Sequence, residues 1–190
     1  MQKLITKNVF IAGPSSQHLY GTDPNHPGYI QMVTQLIDFI AYRPYRIDKM
    51  YITMGTGLDM MMALAVINFN AAYKQNVKLI ACISDTAHMD SFSPGEKRIH
   101  DYILSNLPEE QILLFEEKRY PNGDILEKRN QLMIYCADEL LSFWDYEKYT
   151  SETYKTMQLA KANNIPVFNV HPKLMDERGY WFNPGMVVNI

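Results

Sequence analysis

The hydrophobic positions of this chain fall into short apolar runs that alternate with longer amphipathic stretches. The short runs are rich in β-branched and aromatic side chains, which is typical of strands buried in a sheet. They predict six strands, over residues 8–12, 49–54, 77–83, 111–115, 139–144 and 166–170. The longer stretches predict five helices, over residues 29–42, 58–73, 96–107, 124–137 and 153–163.

Strands that alternate with helices predict right-handed βαβ units, and hence a three-layer α/β/α Rossmann-like domain with a mainly parallel sheet. The 190 residues are expected to form one domain, with its core over about 8–170. The remaining tail, 171–190, contains Tyr180, Trp181 and Phe182 and shows no clear period. We expect it to pack on the domain or against a partner.

The stretch that begins at Tyr51 carries the most distinctive pattern. It opens as a strand, breaks at Gly55-Thr56-Gly57 and continues as an apolar segment with Asp59 in its first turn. This is typical of a strand, a tight glycine turn and a packed helix, whose first amides favour an anion. One interpretation is phosphate or nucleotide binding, and the other is a turn that merely needs glycine.

Polar segments follow three other predicted strands. They are Gly13, Pro14, Ser15 and Ser16 after the first, Ser84 and Asp85 after the third, and Asp145, Ser151 and Thr153 after the fifth. Each of them alone fits a turn or a helix cap as well as a ligand contact. In a parallel sheet, however, the carboxyl ends of strands meet at one edge, and ligands bind there near the switch in strand order. Together they predict a nucleotide-like site.

Composition and charge argue against several classes of binding partner but do not identify the ligand. The net charge of −3 gives no reason to expect nucleic acid as the main partner. Cys82 and Cys136 fit buried thiols and form no metal-ligand pattern, so we expect neither a metal nor a cofactor. The N-terminus lacks a signal-peptide core, and no apolar run is long enough to span a membrane, which favours a cytoplasmic protein. Both a monomer and a homo-oligomer are compatible with the sequence, which does not distinguish the two.

The order of the motifs over residues 8–170 resembles that of the SLOG superfamily of Rossmann-like domains, most closely its YpsA-like branch. Met54-Gly-Thr-Gly-Leu-Asp59 is similar to the family's GMGLGVD-type turn. Glu127-Lys-Arg-Asn130 and the strand over 137–145 resemble an RN…SD-hydrophobic-WD pattern, and Thr153 stands where a GGT segment is expected. The chain departs from the family at Pro14-Ser-Ser16, which replaces His-Arg-Pro, and in lacking the later glycine pair.

The resemblance implies a sensor or sequestering protein for a nucleotide-derived molecule, either ADP-ribose-like or a nucleoside phosphate. Phosphate would lie at the two glycine loops, Asp85 or Asp145 would hold ribose hydroxyls, and Arg129 would be a charge partner. The related LOG-type phosphoribohydrolases use an arginine, to which Arg129 corresponds, and a glutamate, near whose place Glu152 lies. An N-glycosidase is therefore the alternative, and a non-catalytic interaction module with a degenerate pocket is the second alternative.

Overall fold

The computed structural model describes residues 5–84, 86–116, 125–144 and 151–170. The strands in these residues are β1 (Thr6–Ala12), β2 (Arg46–Ile52), β3 (Lys78–Ser84), β4 (Ile112–Phe115), β5 (Glu139–Ser142) and β6 (Val167–Asn169). The α-helices are α1 (Pro27–Ala41), α2 (Leu58–Tyr73), α3 (Pro94–Ser105), α4 (Ile125–Cys136) and α5 (Glu152–Ala162). Short 3-10 helices lie over Ser16–His18, Thr86–Ser91 and Glu109–Gln111.

The strands form one six-stranded parallel sheet in the order β4-β3-β2-β1-β5-β6. The chain builds outward from β1 to β4 and then returns to the other side of β1 for β5 and β6. The prediction of an α/β fold with a parallel sheet is therefore confirmed. The strand order reverses between β1 and β5, and ligands bind at such a reversal in open parallel sheets.

Alternate residues along each strand pack against opposite layers of helices. In β1, Val9 and Ile11 join the core that includes buried residues of α1, α2 and α3. Phe10 and Ala12 join the second core, which includes buried residues of α4 and α5. Since both faces of the sheet are covered, both sets of strand positions must be apolar. This explains why the central strands contain unbroken apolar runs, such as residues 9–12 in β1 and 79–83 in β3.

Helix α2 is buried along most of its length. Met60, Met61 and Met62 are at most 4% exposed and belong to the first core, as expected for core-filling methionines. At the end of the helix, the side-chain amide of Asn70 donates to the carbonyl of Val77 and accepts its N–H, both at 2.9 Å. These two bonds hold the last turn of α2 against the beginning of β3.

A buried ionic cluster joins the amino ends of β1, β2 and β5. Glu139 is fully buried; one carboxylate oxygen accepts a hydrogen bond from Lys7 Nζ at 2.9 Å. The other oxygen lies 3.4 Å from Arg43 Nη2 and also accepts the hydroxyl of Tyr45. Burial lowers the pKa of Arg43, and the charge of Glu139 acts in the opposite direction. The cluster fixes the position at which β5 docks beside β1.

Two sequence expectations concern thiols and membrane spans. Cys82 is buried and Cys136 is half-buried, and both are free thiols. Burial raises the pKa of Cys82 to about 12, so this thiol stays protonated and unreactive near neutral pH. Among the residues that the structure describes, no helix combines the length and the apolar character needed to cross a bilayer.

The packing of β2 predicts the cost of a core substitution. Met50 lies in β2 and is fully buried, so Met50→Ala should lower the free energy of unfolding by about 2–5 kcal/mol. The matched variant Leu114→Ala removes a side chain that is 60% exposed and should change it by less than about 0.5 kcal/mol. Urea denaturation followed by circular dichroism measures both. Equal losses would contradict the central position of β2.

Candidate functional site

The loops after β1 and β2 lie against each other at the carboxyl edge of the sheet. The carbonyl of Pro14 accepts the N–H of Leu58, the first residue of α2, at 3.2 Å. The N–H of Ser16 donates to Thr56 Oγ1 at 3.4 Å. Gly57 lies between the loops with φ 78° and ψ −122°, and a Cβ there would come within 2.5 to 2.7 Å of the first loop's backbone. Glycine is required at this position because the loops approach so closely.

The carboxylate of Asp59 turns back towards the end of β2. It accepts the N–H of Thr53 at 3.2 Å and the Thr53 hydroxyl in a short hydrogen bond, and the N–H of Gly55 donates to Thr53 Oγ1 at 3.4 Å. Burial raises the pKa of Asp59 to about 6, although these hydrogen bonds and the charge of Arg129 act in the opposite direction. The amides of Gly55 and Leu58 are thus used within the protein. Phosphate binding at this turn stays a prediction, with fewer amides available than the sequence suggested.

A pocket of about 270 Å³ opens where the two loops meet. Six of its lining residues are among those predicted from sequence: Gly13, Ser15, Ser16, Gly55, Thr56 and Asp59. Hydroxyl groups and two carboxylates dominate the lining, and the described residues that form it include no lysine, arginine or histidine. The structure therefore brings the two glycine loops together around a polar, acidic cavity.

Half of the lining comes from residues that the sequence analysis did not select. Glu96 is 5% exposed; its Oε1 accepts the Ser16 hydroxyl at 2.6 Å, and its Oε2 accepts the N–H of Ser93 at 2.8 Å. The Ser93-x-x-Glu96 spacing signals a capping box at the start of α3. That signal is local and cannot reveal the contact with Ser16. The other residues are Gln17, Thr22, Thr53, Ser91 and Phe92.

One wall of this pocket is backed by a neutral histidine. His100 is 1% exposed and lies one helical turn after Glu96 in α3. Its ring meets Phe92 edge-on, with the ring centroids 5.9 Å apart. Burial lowers the pKa of His100, and the neighbouring Asp101 acts in the opposite direction. His100 therefore contributes no positive charge at neutral pH, and Asp59 and Glu96 are the ionisable carboxylates of the described lining.

Arg129 approaches the carboxyl edge from the other face of the sheet. It belongs to α4 and is 6% exposed. Its Nη1 donates to Ser84 Oγ at 3.1 Å, while Nε and Nη2 donate to Asn130 Oδ1 at 3.2 and 3.1 Å. Asn130 Nδ2 then donates to Thr156 Oγ1 at 3.3 Å. The predicted Ser84 and Arg129 thus meet, and the arginine's charge also lowers the pKa of Asp59.

The three predicted residues at the start of α5 differ in their surroundings. The Ser151 hydroxyl accepts the N–H of Tyr154 at 3.2 Å and caps the helix. The side chain of Glu152 is 66% exposed and pairs with Lys155 at 2.6 Å, whereas Thr153 is buried. An exposed, paired Glu152 is poorly placed to support a developing cation in a closed site.

Several predictions fall outside the described residues. They are the ribose contacts of Asp85 and Asp145 and the packing of the aromatic tail at 180–182. These stay predictions. The described part of the site therefore consists of the two glycine loops, the beginning of α3, and the Ser84–Arg129 pair on the opposite face.

The close contact between the loops predicts that one added methyl group at Gly57 strongly lowers the stability of the fold. Gly57→Ala must adopt a positive φ and also displace the first loop, so we expect a loss of about 2–4 kcal/mol of stability. Gly21→Ala is the matched control, because Gly21 has φ +80° but open space around its Cβ position. Gly21→Ala should lower the free energy of unfolding by only about 1 kcal/mol. Equal losses in urea denaturation would contradict the close approach.

The raised pKa of Asp59 predicts a pH dependence of stability. The folded carboxyl binds its proton more tightly than the unfolded one, whose pKa is about 3.9. Its stabilisation is complete below about pH 4 and is lost as the pH rises through about 6. Asp59→Asn should remove this loss, which is on the order of 2–3 kcal/mol.

Urea midpoints measured from pH 4 to pH 8 test this dependence. Asp38→Asn, which changes an exposed carboxylate on α1, is the control and should follow the parent protein. A profile of Asp59→Asn that is parallel to the parent's would show that the carboxyl does not titrate in this range.

Comparisons with known proteins address the fold. No protein-family model and no curated protein matches the chain. Among solved structures, the chain is similar to the X-ray structure of DNA processing protein A from Streptococcus pneumoniae, with a TM-score of 0.50 and 17% sequence identity over 85% of this chain. The match covers 49% of that chain, so this chain spans about half its length.

At this level of identity the likeness shows the fold alone. The name of the similar protein refers to DNA, so the expectation that nucleic acid is an unlikely partner gains no support from it. The pocket, the buried carboxylates and Arg129 must therefore be interpreted from their own chemistry. What the comparison and the sheet order establish together is that this chain has a Rossmann-like α/β fold.

Proposed function

We propose that this chain binds a nucleotide-derived small molecule at the carboxyl edge of the sheet, as a sensor or sequestering protein. The observation that carries the proposal is the pocket between the loops after β1 and β2. Carboxylates accept hydrogen bonds from sugar hydroxyls, and serine and threonine hydroxyls can donate or accept. We also propose membership of the SLOG superfamily; the narrower YpsA-like assignment is supported by sequence motifs only.

The chemistry of the pocket favours the sugar end of such a ligand over its phosphate end. Asp59 and Glu96 both line it, and no basic side chain does among the lining residues that the structure describes. Two carboxylates repel a phosphate at short range, and the repulsion is stronger where solvent is excluded. We therefore assign the ribose hydroxyls to the interior of this pocket and the phosphate to its solvent side.

Arg129 fits the role of a positioning residue better than that of a phosphate ligand. Its guanidinium is buried and already donates to Ser84 and Asn130. Its positive charge favours the ionised form of Asp59, which accepts hydrogen bonds from ligand hydroxyls better than the neutral form does. In this proposal Arg129 acts on the ligand through Asp59.

A phosphoribohydrolase is the second candidate function, and a buried carboxylate favours it. Cleavage of an N-glycosidic bond needs an anion beside the developing ribosyl cation. Glu152 is exposed and paired with Lys155, whereas Asp59 lines the pocket and has a pKa of about 6. For a hydrolase, Asp59 would therefore be the better candidate. The interaction-module alternative depends on the tail at 171–190, outside the described residues.

Calorimetric titration with adenosine, guanosine, AMP and ADP-ribose tests the binding proposal. Glu96→Gln and Thr56→Val each change one polar group of the lining and should weaken binding of the best ligand about tenfold. Asp38→Asn should leave the affinity unchanged, since it lies on α1 away from the lining. The absence of heat with all four ligands would contradict the proposal.

The same incubations, analysed by chromatography for free base, separate binding from hydrolysis. A binder should release no base from AMP. Base release by the parent that disappears in Asp59→Asn, with the ligand still bound, would assign the chain to the hydrolase alternative instead.

A further inference from the structure

A second pocket, of about 600 Å³, lies at the opposite, amino edge of the sheet. It forms where α1 and α2 end and β2 begins. Helix α2 has 16 residues and separates it from the first pocket by roughly 24 Å. Its volume falls within the range of small-molecule sites, and the proposed function makes no use of it.

Aromatic rings form much of the wall of this pocket. Tyr42, Tyr45, Phe69 and Tyr73 line it, and the rings of Phe69 and Tyr73 pack with centroids 5.1 Å apart. Tyr42 is 77% exposed and Tyr73 is 51% exposed. Exposed tyrosine faces around a concave surface offer stacking positions for a planar ring.

The charges around the pocket favour an anion. Arg43 and Arg46 line it, and within the described part of the chain no carboxylate does. Behind the wall, Glu139 contacts both Lys7 and Arg43, so one carboxylate faces two cations and Arg46 adds a third. The carboxyl-terminal ends of α1 and α2 contribute about half a negative charge each. Summed over these four side chains and the two helix ends, the positive charge exceeds the negative charge by about one unit.

Arg43 is held in place by aromatic rings, whereas Arg46 is exposed and can contact an anionic ligand directly. The guanidinium of Arg43 lies over the rings of Phe39, Phe168 and Tyr45, at 4.1, 5.2 and 5.4 Å from their centroids. This stacking holds the charge in place before a ligand arrives. Arg46 is exposed at the start of β2, and its planar fork can pair with a carboxylate or a phosphate through two hydrogen bonds.

We propose that this pocket is a second ligand site, for a small planar aromatic molecule that carries a carboxylate or a phosphate. The ring packs against Tyr42 and Tyr73, and the anionic group pairs with Arg46. The positive charge at Arg43 draws the anion towards the wall. This proposal stands independently of binding at the carboxyl edge.

Saturation-transfer NMR with four probes tests the chemistry of the ligand. Phenyl phosphate and benzoate carry both a ring and an anion, benzyl alcohol carries only the ring, and inorganic phosphate, followed by phosphorus NMR line broadening, carries only the anion. We expect the two aromatic anions to bind at least fivefold more tightly than either partial probe. Benzyl alcohol or inorganic phosphate binding equally well would overturn the combined requirement.

Variants at exposed positions locate the binding. Tyr42→Ala and Arg46→Gln should each weaken phenyl phosphate binding about five- to tenfold, without a change in stability. Tyr135→Ala is the matched control, because Tyr135 is 88% exposed on α4, in the other layer. Unchanged affinity in both test variants, or an equal loss in the control, would refute the site. A loss in Glu96→Gln alone would assign the probe to the carboxyl edge and refute it too.

Discussion

The close approach of the β1 loop to the first turn of α2 is the contact on which the carboxyl edge depends. Gly57 permits it, and the carbonyl of Pro14 then receives the N–H of Leu58. Asp59 supplies a carboxylate beside the same helix end and accepts hydrogen bonds from the N–H and the hydroxyl of Thr53. The first amide of α2 is thus bonded within the protein, and a carboxylate of the chain already lies beside the positive end of the helix dipole. The groups that face the pocket beside this turn are therefore mainly side-chain hydroxyls and carboxylates.

The two edges of the sheet differ in the sign of their charge. At the carboxyl edge, the pocket wall is formed by Asp59 and Glu96 together with hydroxyl groups. At the amino edge, Glu139 is outnumbered by Lys7 and Arg43. The net charge of −3 is a sum over the whole chain. It therefore does not describe the local charge at either edge of the sheet. Local arrangement, and not overall charge, decides which ligands each end can accept.

The strands and helices could be predicted because strands covered on both faces form short apolar runs, whereas the segments between them are longer and mostly amphipathic. Element ends were less predictable. Helix α1 begins at Pro27, two residues earlier than expected, since proline suits a first helical turn. Strand β5 ends before Trp144, whose N–H and carbonyl bond instead to the side-chain amide of Asn169.

The candidate site was predictable only where its signals were local. The glycine turns and the polar residues after strands reflect backbone requirements that are visible in a few adjacent positions. The contact of Glu96 with Ser16 spans 80 positions, and the pairing of Arg129 with Ser84 spans 45. Such contacts follow from how α3 and α4 dock on the sheet, which no short motif encodes.

The sheet order also has a consequence for how the chain is made. Strand β1 lies at the centre, but β5, its second neighbour, is among the last strands to be synthesised. Lys7 and its partner Glu139 are 132 positions apart. At typical rates of translation, the edge of β1 that will pair with β5 stays open for roughly 7 to 26 seconds. Unpaired strand edges can pair with other chains, so synthesis that stops before β5 leaves the central strand without one of its two neighbours.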